Sequence, residues 1–281
     1  MHYNENRFRK GGLTMWKWEA EGQPKAVVAI LHSAYEHHRW YPWLIEKFRS
    51  AGFHVVMGDL PGHGEQAKYA RYHDEDFGEY ITYTKILLKV ALEYNLPLFV
   101  VGNGFGSTIA LKALQKYKIE CAGVILTSPW LNLKLTPGKL SNALTSFSAI
   151  TSNVKIKHEI TLQHCSRNTD VLMELKENLP LNNMVTVKWY RDFQQISRAI
   201  RDPENKFPDV PLLLMNGEND KVTDIAASKK WLLQQSLSEF QYKEWPGCLH
   251  SLYFELERED VFRYTIDFIN NVLRNLGYII E

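Results

Sequence analysis

Three short segments of this chain carry residue types that do chemistry together. The first is Gly102-Asn103-Gly104-Phe105-Gly106, inside LFVVGNGFGSTIALKAL (98–114), where an apolar run meets a glycine-rich turn and then a helical pattern. That is the shape of a nucleophile elbow, G-x-S-x-G. Its outer glycines let the turn tighten and the helix pack close to the strand, and its central residue lifts a hydroxyl above the sheet on strained backbone angles. The central residue here is Gly104. The second segment, Gly217-Glu218-Asn219-Asp220-Lys221-Val222, offers an acid, and the third, Gly247-Cys248-Leu249-His250, a histidine. Elbow, acid, histidine is one of the chain orders of covalent acyl transfer, in which the acid orients an imidazole that serves as general base. Asp224, four residues past Asp220, is a second choice of acid. A dinucleotide site is disfavoured, since the glycine turn lacks the third glycine of G-x-G-x-x-G and no acid ends a strand ~20 residues on. His37-His38 and His63 have no metal-ligand spacing of the H-E-x-x-H kind, so no metal and no cofactor is expected. The adjacent pair reads as part of a surface turn.

Positioning these groups requires strands that end where the turns begin. The runs AVVAIL (26–31), HVVMGD (54–59), PLFVVG (97–102), AGVILTS (122–128) and VPLLLMN (210–216) are apolar, rich in β-branched residues and bounded by turn residues, as expected of parallel strands buried on both faces. Helical spacing separates them: Phe77, Ile81, Thr84, Leu88 and Ala91 form one stripe, and Phe262, Ile266, Ile269, Leu273 and Leu276 another. TMWKWEA (14–20) alternates and predicts an antiparallel edge strand, and FQYKEW (240–245) a late strand. The fold class is therefore α/β, a mostly parallel, doubly wound sheet with helices on both faces. Between residues 131 and 208 the rhythm breaks. No apolar strand is evident, and Leu140, Leu144, Phe147 and Ile150 trace a short helix, with WYRDFQQISRAI (189–200) a second. A stretch of ~80 residues is too long for a plain connection. It reads as an inserted helical cap or lid (131–208) on a core built from 1–130 and 209–281.

Composition narrows the class further. The chain has 281 residues, 45% hydrophobic and 23% charged, with 33 Lys+Arg against 32 Asp+Glu. That composition is globular, and the charge balance gives no reason to expect nucleic acid or an anionic membrane as partner. Three cysteines, Cys121, Cys165 and Cys248, make no disulfide framework. No apolar run approaches the ~18 residues of a membrane span, and MHYNENRFRKGG is no secretory signal, so a cytoplasmic location is expected.

The motifs together resemble the bacterial monoacylglycerol lipase and lysophospholipase group of α/β-hydrolases, over nearly the whole chain. The likeness rests on His32-Ser33-Ala34-Tyr35-Glu36-His37, Gly58-Asp59-Leu60-Pro61-Gly62-His63-Gly64, the elbow, Ser166-Arg167-Asn168 and the loops of Asp220 and His250. It implies the α/β-hydrolase fold, Asp220 orienting His250 as general base, and an oxyanion hole from the backbone N–H groups of Ala34 and Phe105. It also implies a buttressing loop from Asp59 to Gly64. The departures are as specific. That group writes its elbow G-H-S-M-G, where this chain has Asn103, Gly104 and Phe105, and it writes H-G where this chain has His32-Ser33. Because three further positions differ, loss by descent is favoured over a single designed exchange.

Replacing the elbow serine with glycine removes the atom that would form an acyl-enzyme, a loss on the order of a million-fold in turnover. Ser107 lies three residues on in the first helical turn and is expected to face away. Ser33, beside the oxyanion loop, and Cys248, two residues before His250, have plain structural readings as well. The reading is a lipid-ester hydrolase by descent, inactive or very weak, that binds a small amphiphilic ester. Its alternatives are an active enzyme using Asp220 and His250 as an acid–base pair without a covalent step, and a pseudoenzyme acting through protein contacts. An amphipathic cap helix suits peripheral membrane contact or a dimer surface equally.

Overall fold

The structure is a computed structural model that describes residues 6–10, 12–64, 72–137, 153–178 and 183–279. Ten strands and eight α-helices can be followed among those residues. In chain order they are β1 (Asn6–Lys10), β2 (Leu13–Trp18), β3 (Ala26–Leu31), α1 (Pro42–Ser50), β4 (Phe53–Gly58), α2 (Phe77–Leu92), β5 (Leu98–Asn103), α3 (Phe105–Lys116) and β6 (Gly123–Thr127). They continue with β7 (Lys155–Lys157), α4 (Leu162–Cys165), α5 (Thr169–Asn178), β8 (Met184–Thr186), α6 (Val187–Arg201), β9 (Leu212–Gly217), α7 (Ile225–Leu233), β10 (Phe240–Trp245) and α8 (Arg258–Asn275).

Eight strands form one sheet in the order β1-β2-β4-β3-β5-β6-β9-β10. From β4 to β10 the neighbours are parallel, while β2 runs antiparallel to β4 and β1 antiparallel to β2. The alternating segment at 14–20 is thus an antiparallel strand as its pattern predicts, but β1 covers it and takes the edge. The five-residue partner NRFRK is too short and too charged to announce itself by periodicity.

Strand residues sort by parity onto two cores. Val27, Ala29 and Leu31 face α2, α3 and α7, and Ala26, Val28 and Ile30 face α1 and α8. All six residues of β3, β4, β5 and β9 are buried, which explains their unbroken apolar character. After β3 the chain moves outward to β4, then returns to the other side of β3 as β5. The carboxyl ends of β3 and β5 therefore flank the point where the winding direction reverses, the place where open α/β sheets form their crevice. His32 to Glu36 follow β3 there, and Gly104 follows β5.

Between β6 and β9 the chain leaves the sheet. Here α4, α5 and α6 are joined by a small antiparallel ribbon, β7 with β8, so the segment is not purely helical as its pattern suggests. Three-residue strands carry too few alternations to be read beforehand. The helix expected from Leu140, Leu144, Phe147 and Ile150 lies outside the described residues. α6 follows the second helical pattern, burying Val187, Trp189, Tyr190, Phe193 and Ile200, and Thr186 caps its start by accepting from the Trp189 N–H at 3.1 Å.

Candidate active site

β5 delivers Asn103 to the crevice, and α3 starts at Phe105. Gly104 between them sits at φ +52°, ψ −114°, so the elbow keeps a left-handed turn. Its outer glycines have no room for a side chain: a Cβ on Gly106 would lie 2.2 Å from the Leu31 carbonyl oxygen, and one on Gly102 2.6 Å from Ser107 Cα. These contacts are the close strand–helix packing that the motif requires. The space at Gly104 is occupied from the opposite wall. A Cβ there would stand 2.2 Å from Ser33 Oγ, 2.9 Å from Ser33 Cβ and 3.0 Å from His250 Nε2. Ser33 Oγ also accepts the Phe105 backbone N–H at 3.1 Å. The Ser33 side chain thus fills the space beside Gly104.

Asp220 follows β9 and His250 follows β10, so neighbouring parallel strands bring them together. His250 Nδ1–H donates to Asp220 Oδ2 at 2.8 Å. Asp220 is fixed further by the N–H groups of Val222 and Thr223 on Oδ1, at 2.7 and 3.0 Å, and by the Thr223 hydroxyl on Oδ2 at 2.6 Å. Burial pushes this carboxyl up, but its pairing with His250 and these hydrogen bonds outweigh it and hold Asp220 below the usual carboxylate range. The other ring nitrogen, His250 Nε2, accepts the Trp130 indole N–H at 3.0 Å. Asp220, His250, Ser33 and Trp130 are all almost fully buried.

The loop after β3 is held by a polar cluster underneath it. His32 Nε2 accepts the Leu60 N–H at 2.9 Å while Nδ1–H donates to the Ser33 carbonyl at 2.7 Å. Both nitrogens are thereby used by a neutral ring, and burial takes His32 down to about 4. Glu36, 3% exposed, accepts the Ser33 N–H at 2.9 Å, the Tyr41 hydroxyl, and the Asn103 side-chain amide at 3.3 Å. Burial raises the Glu36 carboxyl despite these donors. Asn103, one of the departures in the elbow, donates to Tyr41 Oη at 3.0 Å and accepts from the Thr127 hydroxyl at 2.8 Å. It therefore serves the scaffold beneath the loop after β3. Tyr35 takes φ +70°, and its hydroxyl meets His158 Nδ1 at 2.8 Å, tying this loop to the segment inserted after β6. Phe105, Trp130, Trp189 and Phe193 complete an aromatic wall.

A second set of contacts bolts the inserted segment to the histidine loop. The Ser166 hydroxyl donates to the Phe254 carbonyl at 2.7 Å, and Arg167 Nε to Glu255 Oε2 at 3.2 Å. Glu255 is fully buried and also accepts the Leu249 N–H at 2.7 Å, one residue before His250.

The remaining sequence suspects are placed as follows. Asp224 caps α7 through the Ala226 N–H at 3.1 Å and is not part of the His250 pair. The Ser107 hydroxyl points down to the Thr127 carbonyl at 3.1 Å, away from the elbow apex as expected. Burial and the neighbouring Glu257 push the Cys248 thiol up to about 12, so it stays protonated. His37 and His38 are buried, not on a surface turn. His38 stacks on Trp16 at 3.7 Å and bonds Asp59 at 2.8 Å, and His37 packs against Trp40. For His38, stacking and a carboxylate partner compensate the loss of water around the ring, which a dipeptide reading cannot foresee. Among the described residues, no group of three His, Cys, Asp or Glu is arranged to hold a metal ion. Sequence reasoning missed Trp130, Glu36, Tyr41 and Glu255. Glu36 and Glu255 had a faint signal, as acids beside the motif segments, while Trp130 had none beyond following a strand.

Comparison with known proteins bears on the family and the fold. Residues 22–257 match the Hydrolase_4 family, described as serine aminopeptidase, S33. Phospholipase YtpA of Bacillus subtilis is 36% identical over 251 residues, which is 89% of this chain and 96% of that protein. The monoglyceride lipase of Rattus norvegicus is 26% identical, covering 85% of this chain and 80% of its own. Among solved structures, a monoacylglycerol lipase from Paleococcus ferrophilus superposes with a TM-score of 0.76 at 20% identity, over 93% of this chain and 98% of that one. A soluble monoglyceride lipase variant from Saccharomyces cerevisiae, in complex with a substrate analog, gives 0.79 at 17% identity, over 100% and 97%. With an eight-stranded, mostly parallel sheet, a glycine elbow and an Asp–His pair in the crevice, this chain belongs to the Hydrolase_4 family of α/β-hydrolases, in its monoglyceride-lipase-like group.

Proposed function

We propose that this chain binds a small amphiphilic ester of the monoacylglycerol or lysophospholipid type, with turnover very weak or absent because residue 104 supplies no nucleophile. In this reading Ala34 offers its backbone N–H to the ester carbonyl, Phe105 adds its own once the carbonyl displaces the Ser33 hydroxyl that now holds it at 3.1 Å, Asp220 orients His250, and the aromatic wall takes the acyl chain. The segment 131–208 acts as a cap over the site, held down by the Ser166 and Arg167 contacts. The observation that carries the reading is the retained Asp220–His250 bond beside a side-chain-free Gly104. Titrating a short-chain monoacylglycerol and a lysophospholipid against the protein, alongside hydrolysis of the same compounds, tests it. Saturable binding with negligible turnover is expected, and the absence of binding would refute it.

The intact pair also favours a second reading, in which Asp220 and His250 act together as acid and base on a bound substrate without a covalent step. That reading requires a turnover abolished by His250→Ala.

A further inference from the structure

We infer that Ser33 is a transposed nucleophile, its hydroxyl presented from the oxyanion loop to the place where an elbow serine would hold its own. The inference rests on the ester-site reading above and deepens it.

The swap is reciprocal in sequence and in space. Where the resembled group has Gly after the loop histidine and Ser in the elbow, this chain has Ser33 and Gly104. Ser33 Oγ and His250 Nε2 lie 2.2 and 3.0 Å from one common point, the position of a residue-104 Cβ. Filling lost volume alone would need no hydroxyl, and an alanine would do it. The hydroxyl instead accepts the Phe105 N–H at 3.1 Å, which orients one of its lone pairs, and a small side-chain rotation would turn its proton toward His250 Nε2. The backbone under it is fixed by the Ser33 N–H bond to Glu36 at 2.9 Å and the His32 bond to the Ser33 carbonyl at 2.7 Å. Ser107 Oγ and Cys248 Sγ are engaged elsewhere, with the Thr127 carbonyl and with Glu257.

The step balances without a co-reactant beyond ester and water. Ser33 Oγ attacks the ester carbonyl carbon, forming an Oγ–C bond, as its proton passes to His250 Nε2. The carbon–alkoxide bond then breaks and the alkoxide leaves as alcohol with that proton. Water attacks the acyl-Ser33 with the same nitrogen as base, releasing the acid and restoring the hydroxyl. At rest the Trp130 indole N–H holds the His250 Nε2 lone pair at 3.0 Å. The indole must move aside before His250 can act, so the reaction is slow.

The test uses a fluorophosphonate probe on the full-length protein, read by intact mass and peptide mapping. Attack by Ser33 on phosphorus expels fluoride and leaves a stable adduct. The adduct is expected on Ser33, formed about 10²-fold more slowly in His250→Ala and several-fold faster in Trp130→Phe. Ser33→Ala should lose it while still binding monoacylglycerol, which separates this inference from the ligand-binding reading. The double variant Gly104→Ser/Ser33→Gly shows whether the probe reaches the crevice. Labelling of the double variant but not of the natural chain overturns the inference. So does an adduct on any other residue, an adduct indifferent to His250, or silence from both proteins.

Discussion

Restoring the elbow serine by Gly104→Ser is the obvious repair, and the structure says that it fails alone. A Cβ at residue 104 would stand 2.2 Å from Ser33 Oγ and 2.9 Å from Ser33 Cβ, well inside contact distance. Overpacking of this kind costs about 1–3 kcal/mol. The backbone at φ +52°, free for glycine, adds about 1–3 kcal/mol for any other residue. The single variant should therefore lose on the order of 2–6 kcal/mol, or roughly 10 °C in Tm for a chain of this size. Adding Ser33→Gly removes both clashing atoms and frees the Phe105 N–H, while the φ strain stays. The pair should recover about 1–3 kcal/mol of the loss, a coupling that a double-mutant cycle reads directly. Hydrolysis of a p-nitrophenyl ester should be at least ~10²-fold faster in the double variant than in Gly104→Ser. Melting curves and initial rates on the four proteins of the cycle decide it. A Gly104→Ser protein that melts with the parent and hydrolyses as fast as the double variant would refute the claim that Ser33 occupies the elbow's space.

Mild acid should weaken the fold through its buried imidazoles. Burial takes His32, His37 and His158 down to about 4, against 6.5 in an exposed chain. Between those values the unfolded state holds the extra protons, so stability falls as pH drops from 6.5 towards 4, on the order of 3 kcal/mol per pH unit near pH 5. Urea midpoints at pH 7, 6 and 5 should show the fall, and a flat profile would contradict it. Glu36→Leu should cost about 3–5 kcal/mol, since it strands the donors of Ser33, Tyr41 and Asn103, whereas Glu36→Gln should cost much less. Chemical denaturation separates the two. Arg167→Ala leaves the fully buried Glu255 short of a cation, but Arg167 is about a third exposed, so a cost of about 1–2 kcal/mol is expected. Glu255→Ala should cost more and increase proteolysis within 153–178. Equal effects of the two variants in melting and limited proteolysis would show that the Leu249 N–H bond to Glu255 contributes nothing.

How much of this was legible in the sequence follows from which physics is local. Strands buried on both faces announce themselves, because every residue of AVVAIL or VPLLLMN must be apolar whatever it touches. The elbow announces itself through Gly102 and Gly106, whose missing side chains are demanded by backbone atoms within a few residues of the turn or on the adjoining strand. Asp220 and His250 were readable by order, since each sits in the loop after a strand. The contacts that decide the chemistry are different in kind. Ser33 meets Gly104 across 71 positions of sequence, Trp130 meets His250 across 120, and Glu36 meets Asn103 across 67. No periodicity encodes such pairs.

A reader of the elbow alone sees a missing serine, and a reader of the loop alone sees an unremarked one. Only the sheet topology, which turns β3 and β5 side by side at the winding reversal, shows that the two observations concern one cubic nanometre. The same topology sets what stands beside Gly104. Asn103 joins the Glu36–Tyr41 cluster that fixes the Ser33 backbone, and Phe105 joins the aromatic wall with Trp130 and Trp189. The departures are therefore one structural unit. A variant that reverses any one of them in isolation is expected to leave a buried donor, a clash or a gap where the others still stand.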